Sequence, residues 1–334
     1  MVAYRSRRAK LRRRMISVPA IFGATVLATI SLPFWLALAV VVDAFRFKFR
    51  FPAVRLLVFA VLWCWIETAG VVRCALLWAA GKSADEAAHY RVMAWWSGLL
   101  MKALGATIGF DPRLEGLEAI DGGNAIVLAR HASLADSLLS GWVFSNVASL
   151  RPRYVLKREL LADPCLDIVG LRVPNYFLDR NAADSSVELE ALRQFGSHVG
   201  PGSLGVIFAE GTRANDRKRA RALQKIGEGN VDRAARLSEL RRLLPPRPAG
   251  SAALLAGAPE ADVVFAWHTG FDGLDDFSGA IRALSRPLPP LRFVTTRFPR
   301  TEVPDGEAFG RWLDDRWLEI DAEIDRLLSA TDQS

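Results

Sequence analysis

Two long apolar runs lie within the first 80 residues, and after them short apolar runs alternate with amphipathic stretches. Residues 15–42 contain no charged side chain, and a second apolar stretch extends from Leu56 to Ala80. About 20 apolar residues are enough to cross the hydrocarbon core of a bilayer. The pattern therefore predicts a pair of membrane-associated helices within residues 15–81.

The depth of these two stretches stays open on sequence grounds. Pro19 and Pro33 favour a kink or an end to the helix, so the first stretch either crosses once or dips in and returns. Glu67 and Arg73 lie in the second stretch, and because ionisable groups are costly at mid-membrane it either spans or lies partly in the interface. A cleaved signal peptide is the alternative for the first stretch. The apolar part of a signal peptide is usually about 7–15 residues long, which favours a retained anchor.

Behind residue 82 the pattern is that of an α/β domain. The predicted strands are short and apolar: Ala125–Ala129, Tyr154–Leu156, Tyr176–Leu178, Leu204–Ala209, Val263–Ala266 and Arg292–Thr295. The predicted helices are 83–105 with Ser83 as N-cap, Leu134–Val147, Ser185–Val199, Asp216–Leu244 and Gly306–Leu328. The charged stretch from Asn215 to Arg242 is predicted as one solvated helix or as a hairpin inserted into the domain. Strands separated by helices favour a largely parallel central sheet flanked by helices. We expect one such domain over residues 82–334.

The net charge of +7 resides in a basic N-terminal arm, residues 1–14. The arm contains seven Lys or Arg residues and no acid, and the other 320 residues hold 36 charges of each sign. A nucleic-acid-binding domain needs a basic folded face, so the distribution argues against a nucleic-acid partner. The arm predicts a topology signal, contact with anionic lipid, or both. If both apolar stretches span, or neither does, the domain behind residue 82 lies on the cytoplasmic face with the arm.

The cysteines and histidines point away from a disulfide framework and a metal site. Three cysteines are too few for a framework, and the four histidines are scattered without the spacing of metal ligands. We therefore expect no metal. The histidines outside the tract described next are interpreted as structural: His89, His198 and His268.

The most informative tract, Arg130 to Asp136, directly follows a predicted strand. On one regular helix His131 and Asp136 would point about 140° apart, but they can meet if the helix begins between them, with Ser133 as its N-cap. The carboxylate would then fix the imidazole tautomer and stabilise the protonated ring, as a general base requires. The alternative is a helix cap beside an ordinary strand-end histidine.

Two further tracts end predicted strands in polar groups, residues 173–180 and residues 208–213. Polar groups at strand ends face the crevice in which α/β sheets bind ligands, and guanidinium groups bind phosphate in a bidentate manner. The tracts predict a phosphate site, with Lys157 as a further cation. A surface turn with a salt bridge is the alternative for each tract, and a solvated surface lysine for Lys157.

Together the tracts HASLAD, YFLDR and FAEGTR resemble, in order and spacing, the motif blocks of the glycerolipid acyltransferases, in particular the lysophosphatidic acid acyltransferases. The resemblance covers roughly residues 82–300. It implies an O-acyltransferase that moves a fatty acyl group from acyl-CoA or acyl carrier protein to the free hydroxyl of lysophosphatidic acid, giving phosphatidic acid in phospholipid biosynthesis. Its partners would be membrane lipid and the acyl thioester, with no cofactor. His131 would be the base, Asp136 would orient it, and the phosphorylated acceptor would be bound by Arg180, Glu210, Gly211, Thr212 and Arg213.

The sequence departs from the family in two places. The fourth motif block is matched only loosely by residues 243–248, behind a charged stretch that suits larger lysophospholipid acceptors, and Arg130 stands where Asn is common. The acceptor is therefore lysophosphatidic acid or another lysophospholipid. A serine hydrolase would need a G-x-S-x-G turn and a nucleotide enzyme a glycine-rich phosphate loop, and the sequence has neither. A non-catalytic lipid-binding protein on the same fold is the remaining alternative.

Overall fold

The computed structural model describes residues 3–133, 135–179, 185–272, 274, 277–286 and 288–332. These residues form two compact units. The first lies within residues 1–110, 138–180 and 281–288, and the second within residues 111–137, 181–280 and 289–334.

Two long apolar helices dominate the first unit, α1 (Arg7–Phe45) and α2 (Pro52–Ala79). Both are long and apolar enough to cross a membrane, by length and composition. Helix α1 continues through both of its prolines, so the first apolar stretch does not turn back at Pro33. The side chains of Ile30 and Phe34 are 75% and 65% exposed, which distinguishes α1 from the core helix of a soluble protein.

Much of the predicted basic arm, residues 1–14, is helical, because α1 begins at Arg7 with Ser6 as its N-cap. Arg13 and Arg14 contact the carboxylate of Asp167, at 2.5 and 2.6 Å, in the short helix α5 (Pro164–Ile168). The Asp167 side chain is fully buried. These two cations therefore hold the start of α1 against α5 rather than facing lipid.

The rest of the first unit packs against the helix pair. Helix α3 (Glu86–Ile108) begins after Asp85, which accepts from Ala88 N, so the N-cap is Asp85 and not Ser83. Its Trp96 Nε1 donates to the carboxylate of Glu67 on α2, at 2.7 Å. Strands β3 (Arg151–Lys157) and β4 (Tyr176–Leu178) form a parallel pair.

The second unit is built around a sheet of five strands: β1 (Pro112–Glu115), β2 (Ala125–Ala129), β5 (Ser203–Phe208), β6 (Asp262–Thr269) and β7 (Leu291–Phe298). Their order is β1-β7-β6-β2-β5, and every pair is parallel except the antiparallel pair β6 and β7. Strand β2 is flanked on both sides and all of its residues are buried, as an apolar strand in a parallel sheet requires. The predicted largely parallel sheet is confirmed.

The helices of this unit include α6 (Ser185–Gly196), α7 (Asp216–Gly227), α8 (Val231–Leu237), α9 (Pro248–Gly257) and α11 (Glu307–Asp332). Helix α9 packs against β2 and α11 against β6. The remaining helices, α4 (Asp136–Trp142) and α10 (Phe277–Leu284), are short. The charged stretch forms two helices that contact each other, α7 and α8, which agrees with the hairpin alternative and not with one helix over Asp216–Leu244. Asn230 causes the break by capping α8, its side chain accepting from Arg233 N at 2.9 Å. Helix α11 buries Trp317 and Ile324 almost completely.

Candidate active site

His131 and Asp136 meet in the turn that leads from β2 into α4. His131 Nδ1 lies 2.9 Å from Asp136 Oδ2, and the same oxygen accepts from Ala132 N at 2.6 Å and Ser133 N at 2.8 Å. Ser133 Oγ donates to the other oxygen, Oδ1, and accepts from Ala135 N at 3.0 Å. Helix α4 begins at Asp136, so the contact between the two side chains forms at a helix start, as the spacing predicts.

The surroundings of this pair define its protonation. Asp136 is fully buried, and burial alone would raise the pKa of its carboxyl group. The neighbouring His268 and His131 rings outweigh burial and hold the pKa of Asp136 well below its ordinary value. An ionised carboxylate can only accept, so His131 carries its hydrogen on Nδ1 and its Nε2 can take up a proton. The ring packs 4.6 Å from the ring of Phe208.

Residues after β5 form hydrogen bonds with both the N–H and the C=O group of His131. Glu210 Oε1 accepts from His131 N at 2.7 Å, and Ala214 N donates to His131 O at 2.8 Å. Glu210 Oε2 accepts from Leu244 N at 3.0 Å, and burial raises the pKa of Glu210 to about 8. Both carboxylate oxygens are thus occupied by backbone N–H groups. Glu210 therefore links the backbone of His131 to that of Leu244, and its part in binding the acceptor stays a prediction.

A second arginine, which sequence reasoning missed, lies over the same turn. Gly211 has φ of +71°, and a side chain there would meet the guanidinium of Arg247 at about 3.2 Å. Arg247 N donates to Ala209 O at 2.9 Å, which ties residues 243–248 to the end of β5. Within the part of the chain that the structure describes, neither Arg247 nor the half-buried Arg213 forms an ion pair. The turn at Gly211 and Thr212 therefore lies next to two arginines for which the described residues provide no ion-pair partner.

A second histidine also reaches the site, on the strand next to β2. His268 in β6 is buried, and its Nε2 lies 3.1 Å from Asp136 Oδ1. The fully buried guanidinium of Arg130 donates to His268 O and forms an ion pair with Asp272 at 2.5 Å. Only the strand order brings His268 beside Asp136, so a local sequence pattern could not reveal it.

Two predicted cations belong to the first unit. Lys157 is the last residue of β3, and Arg180 lies outside the described residues. Their part in binding the acceptor stays a prediction. No group of three or more potential metal ligands occurs among the residues that were placed.

Comparison with known proteins shows what this part of the chain is similar to. Residues 111–254, which contain both His131 and the turn of Glu210 to Arg213, match the family model described as Acyltransferase. Among solved structures, the crystal structure of the 1-acyl-sn-glycerophosphate (LPA) acyltransferase PlsC from Thermotoga maritima is similar, with 16% identity and a TM-score of 0.45 over 76% of this chain and 93% of that chain. No curated protein matches the sequence. The match to this family model agrees with the resemblance seen in the motifs, and it covers residues 111–254.

Proposed function

We propose that the protein transfers a fatty acyl group from an acyl thioester, carried by CoA or acyl carrier protein, to the free hydroxyl of lysophosphatidic acid. The product would be phosphatidic acid, formed at a membrane. One observation supports this above all others: the 2.9 Å contact between His131 Nδ1 and Asp136 within the residues that match the Acyltransferase family model.

The geometry suits direct transfer. His131 Nε2 takes the proton of the acceptor hydroxyl as its oxygen bonds to the thioester carbonyl carbon. When the tetrahedral intermediate collapses, the carbon–sulfur bond breaks, and the imidazolium returns the proton to the leaving thiolate. Asp136 stays ionised throughout and stabilises the imidazolium. No acyl-enzyme is required, and Ser133 Oγ is committed to Asp136.

The cations beside the turn favour a phosphorylated acceptor. Arg213 and Arg247 provide guanidinium groups without carboxylate partners in the described part of the second unit, and Thr212 adds a hydroxyl group. Lys157 and Arg180 are further proposed contacts to the acceptor, on the strength of the resemblance alone.

The helix pair supports a membrane location. Helices α1 and α2 expose apolar side chains over much of their length, and a lipid acceptor would be taken from the same bilayer. We place the catalytic residues on the cytoplasmic face, because the most basic element precedes the first apolar stretch.

The test uses the full-length protein in detergent with acyl-CoA or acyl carrier protein donors and a panel of lysophospholipids, following thiol release and the product mass. We expect phosphatidic acid from lysophosphatidic acid, and His131→Ala should lower kcat by about 10²–10⁴-fold. The exposed His198 provides a matched control, His198→Ala, which should be unaffected.

Other outcomes would redirect the proposal. Faster reaction with lysophosphatidylcholine or lysophosphatidylglycerol would assign a remodelling enzyme instead. Lipid binding without thiol release from either donor would show a non-catalytic lipid-binding protein, and full activity in His131→Ala would refute the mechanism.

A further inference from the structure

The carboxylate of Asp136 lies between two imidazole rings. Oδ2 faces His131 Nδ1 at 2.9 Å, and Oδ1 faces His268 Nε2 at 3.1 Å. The mechanism proposed above uses only the first ring. The second ring comes from a different strand and contacts the opposite oxygen.

His268 is held firmly in that place. Ala129 of β2 pairs with Ala266 of β6, and Arg130 N donates to Ala266 O at 2.9 Å, which sets the register of the two strands. The His268 carbonyl accepts from the buried Arg130 guanidinium, and the ring packs edge-on against Phe271 at 5.3 Å.

The polar atoms of the ring have no other described partner. His268 is 2% exposed, and neither ring nitrogen has an aligned hydrogen bond among the described residues. A buried polar group without such a partner costs free energy, and in a native protein it calls for an explanation. Its Nε2 atom lies at contact distance from an ionised carboxylate, which can only accept, so the geometry places the hydrogen on Nε2.

We infer that His268 is a positioning residue for acyl transfer, which acts on His131 through Asp136. The ring fixes the plane of the carboxylate from the Oδ1 side and draws part of its negative charge away from His131. The inference rests on the proposed function where acyl transfer is measured. The charged groups around the two rings come from three segments of the second unit: Arg130 and Asp136 after β2, Glu210 after β5 and Asp272 after β6.

Loss of the Nε2 donor of His268 should change two properties of the enzyme together, kcat and its pH dependence. Oδ1 would keep only the Ser133 hydroxyl as a donor, so the carboxylate would gain freedom to rotate and kcat would fall. More of the carboxylate charge would act on His131, so the acid side of the kcat/KM profile would move to higher pH. Substrate contacts are not removed, and KM should change little.

The experiment compares two substitutions in the full-length protein. His268→Phe keeps the ring and its packing but removes the donor, and His268→Gln places an amide N–H near the position of Nε2. For His268→Phe we expect a kcat loss of about 10–100-fold, KM within about threefold, and a shift of the acid limb upward by about 0.5–1 pH unit. His268→Gln should stay within about threefold of the wild type with an unshifted profile. The exposed-site variant His198→Phe is the control.

A second measurement does not depend on acyl transfer. Diethyl pyrocarbonate modifies unprotonated imidazole, and peptide mass spectrometry at a series of pH values gives the midpoint for His131 alone. His268→Phe should move this midpoint upward, whereas His268→Gln should not. If the wild type transfers no acyl group, the proposed function fails and this measurement still decides the role of His268.

Equal losses in the Phe and Gln variants, with an unchanged acid limb and an unchanged midpoint for His131, would overturn the inference and leave His268 as a packing residue of β6. If His268→Phe does not fold, His268→Asn replaces it. Its shorter amide does not reach Oδ1, so the same loss and shift are expected.

Discussion

Replacement of Asp136 by Asn tests the central contact with little change in shape. The amide oxygen can take the place of Oδ2 and accept from the Ala132 and Ser133 N–H groups, so the turn should survive. The substitution removes the negative charge beside His131, and its NH2 group takes the place of Oδ1, which accepts from Ser133 Oγ and faces His268 Nε2. Nearest atoms 2.9 Å apart put the two charge centres about 4 Å apart, and with an effective dielectric of about 20 their attraction is about 4 kcal/mol.

That energy sets the expected rate. An attraction of about 4 kcal/mol corresponds to a factor of about 10³, and since the imidazolium is only partly formed in the transition state we expect kcat to fall by about 10²–10³-fold. The assay is thiol release from acyl-CoA with lysophosphatidic acid, with circular dichroism to verify folding and KM expected within about threefold. Asp216 is 93% exposed, and Asp216→Asn is the matched control. A folded Asp136→Asn protein within tenfold of wild-type kcat would refute the electrostatic role.

Three further predictions concern the neighbouring groups. Arg247→Ala should raise KM for the phosphorylated acceptor by about 10–100-fold and leave KM for the thioester unchanged, because it removes a charge-assisted contact; equal effects on both substrates would contradict this. The pKa of Glu210 in the folded protein, about 8, lies above its ordinary value of 4.5, so its stabilising contribution is full below about pH 4.5 and is lost as the pH rises to about 8. The thermal unfolding midpoint of Glu210→Gln should therefore change less between about pH 4.5 and pH 8 than that of the wild type. If the midpoints of the two proteins changed with pH in parallel, this role of Glu210 would be wrong. Asp167→Ala should destabilise the protein by about 3–5 kcal/mol, since it leaves two arginines without their buried partner; trypsin cleavage near Arg13 should accelerate, and an unchanged rate would show that the contact is dispensable.

Sequence patterns predict the elements that local chemistry determines. All six predicted strands are present, and Ala125–Ala129 and Tyr176–Leu178 agree residue for residue with β2 and β4. Strand β1 was missed because it is only four residues long, begins with proline and lacks an apolar run. The position of the helix break at Asn230 was not predicted, because the charge composition of this stretch was considered and the capping preference of Asn was not.

The contacts of the candidate site likewise divide into those that local sequence determines and those that the fold determines. His131 and Asp136 are close in sequence, so their contact follows from where a helix begins. His268 and Arg247 lie more than a hundred residues from that turn along the chain, and strand order and a backbone bond to β5 bring them in. Neither contact can therefore be predicted from a periodic pattern in the sequence.

For Glu210, the sequence predicted a place in the candidate site but not the hydrogen bonds that its carboxyl group accepts. A carboxylate at a strand end suggests a ligand contact, but His131 N and Leu244 N are donors in a buried turn without backbone acceptors of their own. One carboxylate satisfies both and so joins the catalytic turn to the segment that supplies Arg247. The acid of this motif is thus explained by the two backbone hydrogen bonds that it accepts, and burial, which raises its pKa to about 8, favours its neutral form near pH 7.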